Sequence, residues 1–131
     1  MAIQVRGPSG TRSLTATLDS GSDDTLLPAY LAPHLGIDLD QAPRGESGTV
    51  GGSPVAYHYA TVSLRLSDGY EECEWDAIVG FVAAPMRWAI LGHAGVLQHF
   101  DLQLLGSRRE ALLTPNVSFV GRHVIHRPPP P

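Results

Sequence analysis

The sequence contains no lysine. All nine basic residues are arginine, scattered from Arg6 to Arg127, against thirteen acidic residues and a formal net charge of −4. No basic patch able to neutralise a run of phosphates can be read, which argues against a nucleic-acid partner. There is one cysteine, Cys73, so no internal disulfide can form. No stretch approaches the roughly 18 consecutive apolar residues of a membrane-spanning helix. The opening MAIQVRGPSG lacks a basic start followed by an apolar run, so no secretory signal is expected there. These absences predict a cytoplasmic protein, in a reducing compartment, with neither nucleic acid nor membrane as partner.

What is present fits one domain. The chain has 131 residues, 43% of them hydrophobic and only 17% charged, enough for a core of its own. Fourteen glycines and eleven prolines predict many turns, hence short strands rather than a helix bundle. Residues 1–115 are expected to form the domain. Residues 116–131 are expected to be an extension ending in a Pro-rich tail, RPPPP, which favours polyproline conformation or disorder.

The periodicity is mainly that of strands. Residues 3–5 form a short strand candidate, and GPSG at 7–10 a turn. In residues 13–18 Leu14, Ala16 and Leu18 alternate with Ser13, Thr15 and Thr17, the pattern of a half-buried strand. DSGSDD at 19–24 follows as a loop, and residues 25–27 are extended before Pro28. Residues 28–35 are expected to make a helical turn or two, with Pro28 at the first position and Gly36 as the stop. Residues 38–54 read as a polar, Gly-rich connection with a hairpin tip. Residues 55–66 and 70–81 make long strands around Asp68-Gly69. Residues 88–91 read as a buried strand and 93–100 as a short helix. Residues 101–105 and 110–114 read as strands around a GSRR turn. The expected class is mainly β with one or two short helices.

Asp-Ser-Gly at 19–21 is, by itself, a common turn tripeptide. Its setting is more informative. An Asp at the end of a half-buried strand, followed by a Gly that permits close backbone approach, is held as an acid–base carboxylate needs to be. The segment ATLDSGSDDTLLP at 16–28 resembles the active-site segment of retroviral-type aspartic proteases, the retropepsins: a hydrophobic strand, Asp-Ser/Thr-Gly, a small residue, acidic residues, Thr and aliphatics. A second motif of that family, two aliphatics and a Gly, is matched by Ile90-Leu91-Gly92. The wording ILGHAGVLQHFD is similar to bacterial single-domain members. The Gly-rich hairpin lies between the two motifs, where the family has its flap. Residues 13–36 and 79–100 also loosely share one plan, as the two halves of such a subunit would.

The resemblance implies a closed acid-protease barrel and an aspartic endopeptidase. Two close carboxylates cannot both ionise. They share a proton, so that one activates water and the other protonates the carbonyl oxygen and then the leaving amine. One Asp-Ser-Gly in a chain too short for two lobes implies a homodimer, each subunit contributing one Asp19. By the same resemblance Ser20 would hydrogen-bond the partner's loop, and Gly21 would accept a bond from the substrate backbone. Asp23 and Asp24 would contact a peptide or protein substrate, Gly51 and Gly52 would form the flap tip, and Trp88 and Ile90 would line the substrate pockets. No cofactor or metal is implied. His93 stands where the family has an arginine, and a His93–Asp23 pair would make the dimer pH-sensitive. The alternative is the same fold acting as a dimerisation or peptide-binding module without turnover.

Other signals are weaker. The histidine pairs His93/His99 and His123/His126 lack cysteine or carboxylate partners at ligand spacing. DSGSDDT fails as a calcium loop, with Asp24 at the sixth position and Tyr30 at the twelfth. Cys73, in EECEW, is flanked by carboxylates that would raise its pKa and make it a poor nucleophile.

Overall fold

A computed structural model describes residues 1–50 and 53–126, and for 46–50 and 53–55 the backbone only. Gly51 and Gly52, expected at a flap tip, and the proline run of the tail lie outside the described residues.

The barrel begins with a hairpin. β1 (Ala2–Gly7) and β2 (Gly10–Leu18) pair antiparallel around Pro8-Ser9. β3 (Leu26–Pro28) follows the 19–25 loop, and then comes α1 (Leu31–Leu35). β4 (Arg44–Val50), β5 (Ser53–Ser67) and β6 (Glu71–Val82) form an antiparallel meander, and β7 is Ala89–Leu91. β6 pairs with β3, β3 with β7, β7 with β2, β2 with β1, β1 with β5, and β5 returns to β6, closing a six-stranded barrel. Closure removes the open edges that an antiparallel sheet would otherwise present. β8 (Phe100–Leu105) and β9 (Glu110–Pro115) form a separate two-stranded sheet, and β10 (Arg122–Ile125) lies along β6.

Period-2 patterning fills the interior. Ile3 and Val5 of β1, Val62 and Leu64 of β5, and Trp75, Ala77, Val79 and Phe81 of β6 are buried in one cluster with Ala89 and Leu91 of β7. Leu31, Ala32 and Leu35 of α1 join the same cluster. Cys73 is buried there too. Burial first, then the Glu71 and Asp68 carboxylates, push its thiol above the ordinary range. A second, smaller cluster of Leu26, Tyr57 and Val82 lies apart, with Tyr59, Ala84, Met86 and Ile90 packed against it.

Several local expectations are corrected. Pro28 does not open the helix; it ends β3, opposite Val82, and Ala29 donates its N–H to the Val82 carbonyl at 2.8 Å. The helix starts at Leu31, and Pro33 falls in its first turn, where a missing N–H breaks no intrahelical bond. Residues 93–100 form no α-helix, only a 3-10 turn at Leu97–His99. Gly95 at φ 93° and Val96 at φ −129° leave helical space, and the N–H groups of His93 and Ala94 bond another loop. Trp88 is not part of a buried strand; β7 starts at Ala89, and Trp88 is 47% exposed. Within the extension, residues 116–126 return to the barrel: Phe119 packs on Trp75 and Phe100, with ring centroids 6.0 and 5.6 Å away.

Candidate functional site

Asp19 follows the last residue of β2. That strand pairs parallel with β7, Thr17 opposite Ile90 and Leu18 opposite Leu91. The ladder continues one step further, because the Asp19 N–H donates to the Leu91 carbonyl at 3.0 Å. Asp19 is therefore placed by barrel pairing rather than by a free loop. Its Oδ1 accepts the Gly21 N–H at 2.9 Å, and its carbonyl accepts the Ser22 N–H at 3.1 Å, which closes a tight turn. Asp19, Ser20 and Gly21 are exposed on the single chain.

The second motif then crosses the first. His93 N–H donates to the Ser22 carbonyl at 2.9 Å, and Ala94 N–H to the Asp23 carbonyl at 2.8 Å. Thr25, 1% exposed, ties the crossing from below. Its hydroxyl donates to the Ala94 carbonyl at 2.9 Å and accepts the Gly92 N–H at 3.2 Å. Gly92 has no room for a side chain: a Cβ there would lie 2.1 Å from the Asp24 carbonyl oxygen and 2.7 Å from that of Ser22. The aliphatic-aliphatic-Gly pattern thus has a local cause. Leu91 fills the core, Ile90 faces the outer cluster, and Gly92 lets two backbones touch.

Of the predicted site residues, Asp19, Ser20, Gly21, Asp23, Asp24 and Ile90 gather around this crossing. Ile90 is half-buried and opposite Leu26. Trp88 is 47% exposed, with the Arg87 guanidinium 4.9 Å from its ring centroid. Among the described residues the ion pairs do not include one between His93 and Asp23; the two segments meet through backbone.

Two residues of the site escaped the sequence reading. Thr25 was visible only as part of the motif. Tyr59, on β5, donates its hydroxyl to Asp24 Oδ2 at 3.3 Å and so links the second strand of the β4–β5 hairpin to the 19–25 loop. Burial first, then the nearby Asp24 carboxylate, raise the Tyr59 phenol above its ordinary value. The period-2 alternation of β5 put Tyr57 and Tyr59 on one face, and that was the available signal. An open groove of about 670 Å³, lined by Pro28, Tyr30, Val82, Met86 and Arg87 among others, shares Val82, Ala84 and Met86 with the outer cluster.

Among the described residues no group of three or more His, Cys, Asp or Glu side chains is placed to hold a metal ion. No helix among them is long and apolar enough to cross a membrane. No family model matches the chain, and neither does any curated protein or solved structure.

Proposed function

We propose that the protein is a retropepsin-like aspartic endopeptidase. A homodimer brings two Asp19 carboxylates together, and a water between them attacks the peptide carbonyl. One observation carries the reading: Asp19 sits at the end of a barrel strand in a turn clamped by the backbone of Leu91–Ala94. A rigid carboxylate is what general acid–base chemistry requires, since a loosely held group loses the geometry of proton transfer. Its exposure on the single chain suits a group that completes its site with a second copy.

The supporting features are consistent in kind. Ser20 and Gly21 share the turn with the carboxylate, and in this reading Ser20 would bond the partner's loop and Gly21 the substrate backbone. Asp23, Asp24, Ile90 and the groove at Val82–Arg87 supply polar and apolar surface for an extended peptide, bound by β-type pairing. In this reading the β4–β5 hairpin, with Gly51-Gly52 at its tip, covers the peptide. A cytosolic setting suits a chain with a single, buried cysteine.

The test is cleavage of a peptide library between pH 4 and 7 by the wild type and by Asp19→Asn. The substitution removes one acid–base group per subunit, so cleavage falls by at least about a hundredfold, with the far-ultraviolet spectrum unchanged. Equal cleavage by both proteins overturns the assignment. Saturable peptide binding without cleavage by the wild type moves the protein to the non-catalytic module instead.

A further inference from the structure

One face of the β8–β9 hairpin is apolar, and its outer part is exposed among the described residues. Residues directly opposite in an antiparallel pair share a face, and here Phe100, Leu102 and Leu104 stand opposite Pro115, Leu113 and Ala111. All six are apolar. The reverse face carries Asp101, Gln103, Leu105, Glu110, Leu112 and Thr114. The apolar face starts in the core, where Phe100 is 5% exposed and its ring centroid is 5.1 Å from that of Trp75. It then runs outward into solvent, with Leu102 36% and Leu104 74% exposed. An isolated two-stranded hairpin is only marginally stable in water, so such a face calls for a cover.

We propose that this face docks on the same face of a second copy of the chain. The occupant follows from three observations. Among the described residues β1 is paired on both edges, with β2 and β5, while β10 is paired along one edge, with β6. Among the described residues the hairpin is a separate sheet whose two strands pair with each other alone. The apolar face carries no charge and meets its two-fold image without repulsion, whereas the reverse face would set Asp101 and Glu110 against their own copies. The hairpin also continues directly from the 92–99 segment that clamps the Asp19 turn, so docking here ties the interface to the site through a short connection. For its choice of occupant the inference rests on the two-carboxylate reading, in which one chain holds half of a site.

Sedimentation equilibrium of the full chain, from low to high micromolar concentration, tests it. The wild type is a dimer. Leu104→Asp, which places a charge at the most exposed large side chain of the self-facing surface, weakens the dimer by about a hundredfold or more. Leu112→Asp, on the reverse face, leaves it within about threefold. A wild type that stays monomeric overturns the inference, as does a Leu104→Asp dimer of undiminished strength, or equal weakening by the two variants. If circular dichroism shows Leu104→Asp unfolded, Leu104→Ser decides: a folded variant with a weaker dimer supports the interface, and one as tight as the wild type overturns it. Dissociation as expected in a protein without Asp19-dependent cleavage refutes the protease reading and leaves the interface standing. Cleavage by a strictly monomeric wild type refutes both.

Discussion

At the scale of residues, Gly92 decides whether the two motif segments can touch. The atoms that a Cβ would meet belong to the backbone of Ser22 and Asp24 and cannot swing away. Gly92→Ala therefore lowers unfolding free energy by at least about 2 kcal/mol in urea denaturation, and a loss well under that would show a loop able to yield. Tyr59→Phe removes one hydroxyl bond to Asp24 and costs about 1 kcal/mol at neutral pH. The phenol's pKa is raised in the folded chain from its ordinary 10.0, so its contribution is complete below pH 10 and is lost as pH rises through the folded value. The variant's stability in urea then falls less steeply than the wild type's on the alkaline side. Asp19, Ile90 and Gly92 were legible because local spacing carries them. Tyr59 was not, since it reaches an Asp 35 residues away and only barrel closure brings them together. The buried strand was begun one residue too early, at Trp88. The alternation of Ala89 and Leu91 inward with Ile90 outward puts position 88 outside, where Arg87 lies over its ring.

Among the elements, the β5–β6 hairpin forms the longest ladder of the barrel. Its turn is set by Asp68, whose Oδ1 accepts the N–H groups of Glu71 at 2.7 Å and Tyr70 at 2.8 Å, and by Gly69 at φ 91°. Those two donors hold the Asp68 carboxyl below its ordinary 3.8. A depressed carboxylate adds stability above its unfolded pKa and loses it as pH falls through the folded one. Asp68→Asn thus lowers the urea midpoint at pH 7 and flattens its decline below about pH 4; an unchanged acid limb would count against this role. This hairpin was plain in the sequence, because two alternating runs flank an Asp-Gly pair. The 93–100 segment was not. Its composition suits a helix, but its first N–H groups, those of His93 and Ala94, serve the 19–24 loop, a tertiary demand that local propensity does not register. Pro28 misled for a similar reason, since the parallel pairing with β6 that holds it comes from over fifty residues away.

At the scale of the whole molecule, residues 116–126 belong to the barrel's packing. Phe119 closes an aromatic group with Trp75 and Phe100, and the Trp75 Nε1–H donates to the Gly95 carbonyl at 2.7 Å. Phe119→Ala costs about 2 kcal/mol, less than a fully buried Phe would, because the ring is half-exposed. Amide hydrogen exchange in β10 quickens with it; unaltered exchange there would show the extension held by other contacts. The crossing that clamps Asp19 also imposes an order in time. The carboxylate is made early, yet Thr25 finds its partners Gly92 and Ala94 only 67 and 69 residues later. A chain growing from the ribosome carries Asp19 long before anything can hold it in place. Such distant pairings form slowly and late in folding, because much loop entropy is lost before they gain contacts. A half-made chain thus lacks the clamp on Asp19, and the crossing is completed only as the barrel closes.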